Sequence, residues 1–146
     1  FQSYQTSLLG KGTAPDPRLQ KIIDVPILTN EEVEKILGEA LDQWLQLPEP
    51  PTAVAASSDG YALGLLRAAR KRGLRVPEDL SITGFGNMEY AAVTEPPLTT
   101  IHMDQRATGA VAAALLLNLL DGLPCPSQAL IQPHFVERRS CARIGK

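Results

Sequence analysis

Two short polar segments each follow a predicted strand, and their residue types suit the binding of a small polar molecule. Ser57-Ser58-Asp59 follows one apolar strand, and Gly84-Phe85-Gly86-Asn87 follows another. The carboxyl ends of parallel strands form one edge of an open sheet, which is where ligands bind in such folds. Hydroxyl, carboxylate and amide groups at that edge would hydrogen-bond a polyhydroxylated ligand. Alternatively, Ser57, Ser58 and Asp59 serve only as caps of the helix that begins there.

No catalytic or metal-binding pattern accompanies these segments. The histidines, His102 and His134, are far apart in the sequence and belong to no metal-ligand motif. His102 falls between a strand and a helix, where a surface or core histidine is more common than a general base. Gly84-Phe85-Gly86 lacks the third glycine of a dinucleotide-binding fingerprint. We therefore expect a protein that is not an enzyme and uses neither a metal nor a cofactor.

Strands alternate with helices along the chain, which predicts an α/β fold with a mostly parallel sheet flanked by helices. The segment Thr52–Ala56 is wholly apolar, as in a parallel strand buried on both faces. Trp44 lies on the apolar face of a helix and is expected in the core. The predicted strands are 20–25, 52–56, 80–83, 98–101 and 128–137. Residues 1–9 are predicted to be the end of a helix, and a second helix begins at its cap, Thr29 or Asn30, and ends at Pro48. Two further helices are predicted at 61–72 and from the cap Asp104 to residue 121.

Composition and charge exclude several classes of protein. The chain has 146 residues, of which 44% are hydrophobic and 21% charged, as in a single globular domain. Its net charge is −2, and the basic cluster Arg67–Arg72 is short, which disfavours a free-standing nucleic-acid-binding protein. The helix dipole accounts for that cluster, since it lies at a predicted helix C-terminus. The apolar run Ala110–Leu117 is too short to span a bilayer, and Cys125 and Cys141 are expected to be free thiols.

Four segments together resemble the lac repressor and gal repressor (LacI/GalR) family of bacterial transcription regulators. They are Pro51–Gly64, Leu66–Ala68, Gly73–Phe85 and Pro96–Ile101. Their order and spacing are similar to the second half of the effector-binding region in that family. The resemblance implies a fold like that of periplasmic binding proteins, in which two α/β lobes enclose the effector. It further implies that residues 1–146 form the C-terminal lobe, with 102–123 as a segment that crosses to the N-terminal lobe.

The resemblance places an effector site here, but this chain departs from the family pattern within it. The implied effector-binding residues are Ser58, Asp59, Gly86, Asn87 and Gln105. Ser58-Asp59 stands where the family commonly has Asn-Asp, and Gly86-Asn87 stands where it commonly has Asp-Asp. Gly86 has no side chain to accept a hydrogen bond from a sugar hydroxyl, and Gln105 occupies a position that is commonly apolar or aromatic. We expect sugar recognition to be lost or shifted toward a less hydroxyl-rich ligand.

The resemblance also implies a homodimer. The implied interface residues are Leu63, Leu66, Arg67, Tyr90, Ala91 and Val93. Apolar residues in a loop beside Pro96-Pro97 fit an isologous patch. Alternatively, Ala91–Val93 form the ordinary core of a short helix. The apolar helix Ala110–Leu120 is expected either to pack on a partner or to stay exposed.

These expectations combine into one function. The chain is interpreted as the effector-sensing and dimerisation region of a cytoplasmic bacterial repressor, with a sugar or related metabolite as its effector. Operator DNA would be contacted only through an N-terminal helix-turn-helix domain that this chain does not contain, and no membrane is involved. The alternative is a sugar-binding protein of an uptake system, which would carry a signal peptide upstream of Phe1 in place of the helix-turn-helix.

Overall fold

The computed structural model describes Thr6 and residues 9–12, 14–23 and 29–143 of the chain. Its helices are α1 (Asn30–Leu45), α2 (Asp59–Lys71) and α3 (Gln105–Leu120); its strands are β1 (Ala53–Ala55), β2 (Ser81–Thr83), β3 (Thr100–His102) and β4 (His134–Val136). Short 3-10 turns span Pro17–Leu19 and Glu89–Ala92. This alternation of helices and strands confirms the predicted α/β class.

The sheet brings the carboxyl ends of three strands to one edge. β1 and β2 pair in parallel, with Ala53 opposite Ser81. Isolated parallel bridges, Thr83 with Thr99 and Gly86 with His102, continue the pairing from β2 to β3. β4 then pairs antiparallel with β3, so that Ile101 lies opposite Phe135. β4 is shorter than the predicted strand 128–137, because Pro133 has no N–H to donate and interrupts the extended segment just before it.

Local sequence signals set the ends of the helices. Thr29 caps α1 through a capping box, in which its hydroxyl accepts from the Glu32 N–H at 3.2 Å and Glu32 Oε2 accepts from the Thr29 N–H at 2.8 Å. Ser58 caps α2 and Asp104 caps α3 without a capping box, each side chain accepting one backbone N–H. Past the end of α2, Gly73 has a φ of 72°, a left-handed conformation that favours glycine.

The predicted helix end at 1–9 falls mostly outside the described residues. Of that segment, Thr6 and Leu9 are described and are helical. The Gly10 N–H donates to the Thr6 carbonyl at 2.9 Å, and Gly12 has a φ of 74°. These contacts are those of a helix that ends at its glycines, as the sequence predicts.

The core lies between α1, α2 and the sheet. Its fully buried side chains include Leu41, Leu65, Ile82 and Leu98. Trp44 of α1 is buried as predicted, and its indole N–H donates to the Arg18 carbonyl at 2.9 Å. This packing fixes α2, and with it the residues at the α2 N-terminus, against the sheet.

The prediction that strand 52–56 is buried on both faces is wrong. Ala53 and Ala55 are exposed, and Val54 is only half-buried. Among the described residues β1 pairs with β2 alone. Residues 20–23 of the strand predicted at 20–25 belong to no strand, while residues 24 and 25 lie outside the described part. The apolar composition of residues 52–56 therefore did not predict how far their side chains are buried.

Part of the basic cluster on α2 pairs with carboxylates of α1. Lys71 forms an ion pair with Glu34. The Arg72 guanidinium donates to both carboxylate oxygens of Asp42, at 2.5 and 2.6 Å, and these hydrogen bonds lower the pKa of Asp42 below its ordinary value. The cations therefore hold two helices together, which agrees with a structural role.

α3 stands apart from this core. It has no buried residue, and Leu117 and Leu120 are 59% and 74% exposed. This exposure within one chain is compatible with both alternatives of the sequence analysis, packing on a partner and remaining exposed. In the part of the chain that the structure describes, no helix is long and apolar enough to cross a membrane.

Candidate functional site at the carboxyl ends of the strands

Asp59 joins the ends of three strands. It is fully buried at the start of α2, directly after β1. Its Oδ1 accepts from the Thr100 hydroxyl of β3 at 2.5 Å, and its Oδ2 accepts from the Met88 N–H beyond β2 at 2.7 Å. Its own N–H donates to the Phe85 carbonyl at 2.9 Å. Because both oxygens are engaged and buried, direct contact of Asp59 with an effector would require this cluster to open.

The loop after β2 passes close to Asp59 because it is built with glycines. A Cβ at Gly84 would overlap Asp59 Oδ1 and lie 2.9 Å from Cδ2 of Leu98. Gly86 has a φ of 121°, a conformation that L-residues rarely adopt, and its N–H donates to the Ile101 carbonyl at 2.8 Å. The missing side chain at Gly86 is therefore matched to the backbone shape of this loop.

Asn87 lies at the centre of a second group of hydrogen bonds. Its φ is 52°, and its N–H donates to Thr100 Oγ1 at 3.4 Å. Its side-chain oxygen accepts from the Arg138 guanidinium at 2.7 Å, and its side-chain nitrogen lies 3.3 Å from His102 Nδ1. The sequence analysis did not identify Thr100 or Arg138 as site residues, and it expected His102 to be an ordinary surface or core histidine. No local signal identifies these residues, because 51 positions separate Asn87 from Arg138.

The other two predicted effector-binding residues, Ser58 and Gln105, lie in different parts of the structure. Ser58 is half-buried, and its Oγ accepts from the Tyr61 N–H at 3.2 Å. Its hydroxyl hydrogen can still be donated, so capping and ligand contact are compatible. Gln105 is exposed at the first turn of α3. The structure therefore brings Ser58, Asp59, Gly86 and Asn87 together at one sheet edge, whereas Gln105 lies on the helix that follows β3.

Two charged side chains lie at this edge, the buried carboxylate of Asp59 and the guanidinium of Arg138. Burial, and next the nearby charge of Asp59, raise the pKa of Tyr90 above its ordinary value. Within the described residues, no three His, Cys, Asp or Glu side chains are grouped so as to hold a metal ion. Cys125 and Cys141 are free, as predicted. Besides these charged groups, the edge carries the Ser58 hydroxyl, the Asn87 amide and the His102 imidazole, which can form hydrogen bonds to a small polar molecule.

The predicted interface residues divide into two sets. Leu66 and Ala91 are 6% and 0% exposed and belong to the core of this chain. The alternative, that the short helix supplies core residues, therefore holds for Ala91. Val93 is 81% exposed, Arg67 is exposed, and Leu63 and Tyr90 are half-buried. Close to these residues, Leu66 also lines an open cavity of about 280 Å³, together with Arg70, Leu74, Val76, Glu95 and Pro96.

Polar groups gathered at the carboxyl ends of parallel strands lie where ligands bind in open α/β sheets. The model of the periplasmic binding protein-like domain matches residues 2–141, and the chain belongs to this family. Its relatives are LacI-type transcriptional regulators. The transcriptional repressor CytR of Escherichia coli strain K12 is 49% identical over 85 residues, which cover 58% of this chain and 25% of CytR.

Solved structures of transcriptional regulators share the fold. The regulator CelR, in its complex with cellobiose, superposes with a TM-score of 0.81 at 30% identity and covers 95% of this chain and 41% of CelR. GntR from Chromobacterium violaceum superposes with a TM-score of 0.76 at 31% identity and covers 94% of this chain and 49% of GntR. The chain thus spans about a quarter of CytR and less than half of CelR or GntR.

Proposed function

We propose that this chain is the effector-sensing and dimerisation region of a bacterial transcriptional repressor of the LacI/GalR type. The observation that carries the proposal is the gathering of Ser58, Gly86 and Asn87 at one sheet edge, around the buried Asp59, in a fold shared with transcriptional regulators. Effector binding between two lobes would change their relative angle and so the spacing of the DNA-binding domains. Operator DNA would be contacted by a helix-turn-helix domain outside this chain, in the cytoplasm.

Two alternatives receive less support. A sugar-binding protein of an uptake system would share the fold, but the relatives and neighbours described above are transcriptional regulators. An enzyme would need an accessible acid, base or nucleophile pair at the site. Asp59, the carboxylate at the centre of the site, is fully buried and hydrogen-bonded.

The crossing segment 102–123 is proposed to belong to the other lobe. The support is that α3 buries no residue within this chain, although Leu116, Leu117, Leu119 and Leu120 lie on it. Burying such a surface is favourable by roughly 25 cal/mol per Å² of apolar area. In a longer protein, α3 would therefore pack against the remainder of the effector-binding region.

The effector is proposed to be a sugar or related metabolite with fewer hydroxyl groups than an ordinary hexose. CelR was solved with cellobiose, which shows that a neighbour of this fold takes a sugar. In this chain neither Gly86 nor the buried Asp59 offers an accessible carboxylate to accept sugar hydroxyls. Each hydrogen bond lost at a buried site costs roughly 1–3 kcal/mol.

Titration calorimetry of the intact protein tests this assignment. The panel contains cellobiose and a set of hexoses and pentoses. We expect the ordinary hexoses to bind only weakly, because the site lacks the accepting carboxylate. Micromolar binding of an ordinary hexose would contradict the proposed shift in specificity, whereas specific operator release by any member of the panel would support the repressor assignment.

The dimer surface is proposed to include Leu63, Arg67, Tyr90 and Val93 beside the cavity that Leu66 lines. Val93 is 81% exposed, and its burial by a second copy would remove apolar area from water. Replacing Val93 by glutamate would bury an unpaired charge. We expect at least a tenfold, or about 1.4 kcal/mol, weaker dimer, measured by sedimentation equilibrium of the intact protein.

Gln43→Glu is the matched control for that substitution. Gln43 is exposed on α1, away from the proposed surface, and the change introduces the same carboxylate. We expect Gln43→Glu to leave the dimer unchanged. Equal dimer dissociation constants for Val93→Glu and the unmodified protein would remove Val93 from the interface.

A further inference from the structure

The side chain of Arg138 determines which way the amide of Asn87 is turned. Arg138 donates from its backbone N–H to Thr99 Oγ1 at 3.0 Å and from one guanidinium nitrogen to the Leu98 carbonyl at 2.8 Å. Its other terminal nitrogen lies 2.7 Å from the Asn87 side chain. A guanidinium has donors and no acceptor. The Asn87 atom that faces Arg138 must therefore be Oδ1, which leaves the NH₂ group on the opposite side.

The orientation of Asn87 in turn determines the protonation of His102. The Asn87 NH₂ group lies 3.3 Å from Nδ1 of His102. An amide NH₂ can only donate, so Nδ1 must offer its lone pair and carry no proton. The proton of the ring then resides on Nε2, and the ring is neutral. Among the described residues, Asn87 is the hydrogen-bond partner of this ring.

The place of His102 connects this chain of hydrogen bonds to the candidate effector site. His102 is the last residue of β3, it is half-buried, and it forms the parallel bridge with Gly86. We propose that Arg138 and Asn87 act as positioning residues that hold His102 as a neutral donor through Nε2. The inference rests on the proposed effector site. It assigns to that site a ligand bearing an acceptor, such as a carbonyl, ether or ring-nitrogen atom, opposite His102.

Asparagine at position 87 determines which ring nitrogen of His102 carries the proton, and so which ligand atom His102 can bind. The NH₂ group of Asn87 can donate to Nδ1, whereas an aspartate carboxylate accepts hydrogen bonds from both Arg138 and His102. With Asn87→Asp, the ring must therefore carry a proton on Nδ1. One isosteric substitution thus reverses the direction of the hydrogen bond between residue 87 and His102, while Arg138 stays the donor to residue 87.

Nitrogen-15 NMR of the intact, uniformly labelled protein at mildly alkaline pH tests the proposal. The sequence supplies two histidines, so the His134→Asn variant assigns the ring signals of His102. We expect the long-range correlation pattern of a neutral ring protonated at Nε2 for His102. In Asn87→Asp we expect the proton to appear on Nδ1, with Nε2 either unprotonated or part of an imidazolium.

His134 is the comparison ring: it is exposed on β4, opposite His102 in the β3–β4 register. Its pattern should be the same in the unmodified protein and in Asn87→Asp. The proposal is overturned if the unmodified His102 carries its proton on Nδ1, or if Asn87→Asp leaves the His102 pattern unchanged. The measurement needs no effector, so its outcome is independent of the calorimetric test of the proposed function.

Discussion

Replacing Asp59 by alanine is expected to lower the free energy of unfolding by about 3 kcal/mol or more. The substitution leaves the Thr100 hydroxyl and the Met88 N–H without the carboxylate that they now share. Each buried donor left without an acceptor costs roughly 1–3 kcal/mol. The side chain is 0% exposed, so water cannot replace the lost acceptor without entering the core.

Two further variants make this prediction specific to the hydrogen bonds of Asp59. Asp59→Asn keeps the shape, and its amide can accept from Met88 while donating to Thr100, so a loss of about 1 kcal/mol is expected. Asp42→Ala removes a carboxylate from an exposed ion pair with Arg72, worth roughly 0–1 kcal/mol. Urea unfolding of the intact proteins measures all three. If Asp59→Ala is no more destabilising than Asp42→Ala, Asp59 does not hold the strand ends together.

Local features of the structure could be predicted from local sequence. Thr29, Ser58 and Asp104 cap the helices that the sequence assigns to them. Gly73 and Gly122 follow α2 and α3 in left-handed conformations. Each cap joins a side chain to a backbone N–H three residues away, and each glycine needs only its own backbone conformation. Helix-capping rules describe such short-range contacts well.

The roles of the site residues could not be predicted, because they depend on contacts between distant segments. The sequence identified Ser58–Asp59 and Gly84–Asn87 as strand-end loops, and the structure places both loops at one edge. It gave no sign that Asp59 is bonded to Thr100, 41 positions away, or that Arg138 orients Asn87. Likewise, the exposure of β1 depends on which segment lies beside it, and its apolar composition does not record that.

Replacing Gly84 by alanine is expected to cost about 3 kcal/mol of folding free energy and to disorganise the effector site with it. The new Cβ would overlap Asp59 Oδ1, lie 2.9 Å from Leu98 Cδ2 and lie 3.2 Å from Asp59 Cα. Asp59 and Leu98 are both 0% exposed, so neither can move aside into open space. Overpacking of this kind costs typically 1–3 kcal/mol and occasionally more.

Two other glycines separate this steric effect from the general cost of losing a glycine. Gly73 has open space around a would-be Cβ but a φ of 72°, so Gly73→Ala should cost about 1–2 kcal/mol through conformation alone. At Gly64 the Cβ would lie 3.1 Å from the side-chain ends of Leu37 and Val33, which can shift by a few tenths of an ångström, and at an ordinary 3.8 Å from the Glu34 backbone nitrogen.

Urea unfolding of the intact variants should rank Gly84→Ala as the most destabilising of the three glycine substitutions. Backbone amide spectra should also show its shifts concentrated at Asp59 and Met88, which lie on either side of the loop. If Gly84→Ala is no more destabilising than Gly73→Ala, the loop over Asp59 can move away from it. The geometry of the proposed effector site would then be adjustable, because the same movement would release the contacts that hold Asn87 and His102.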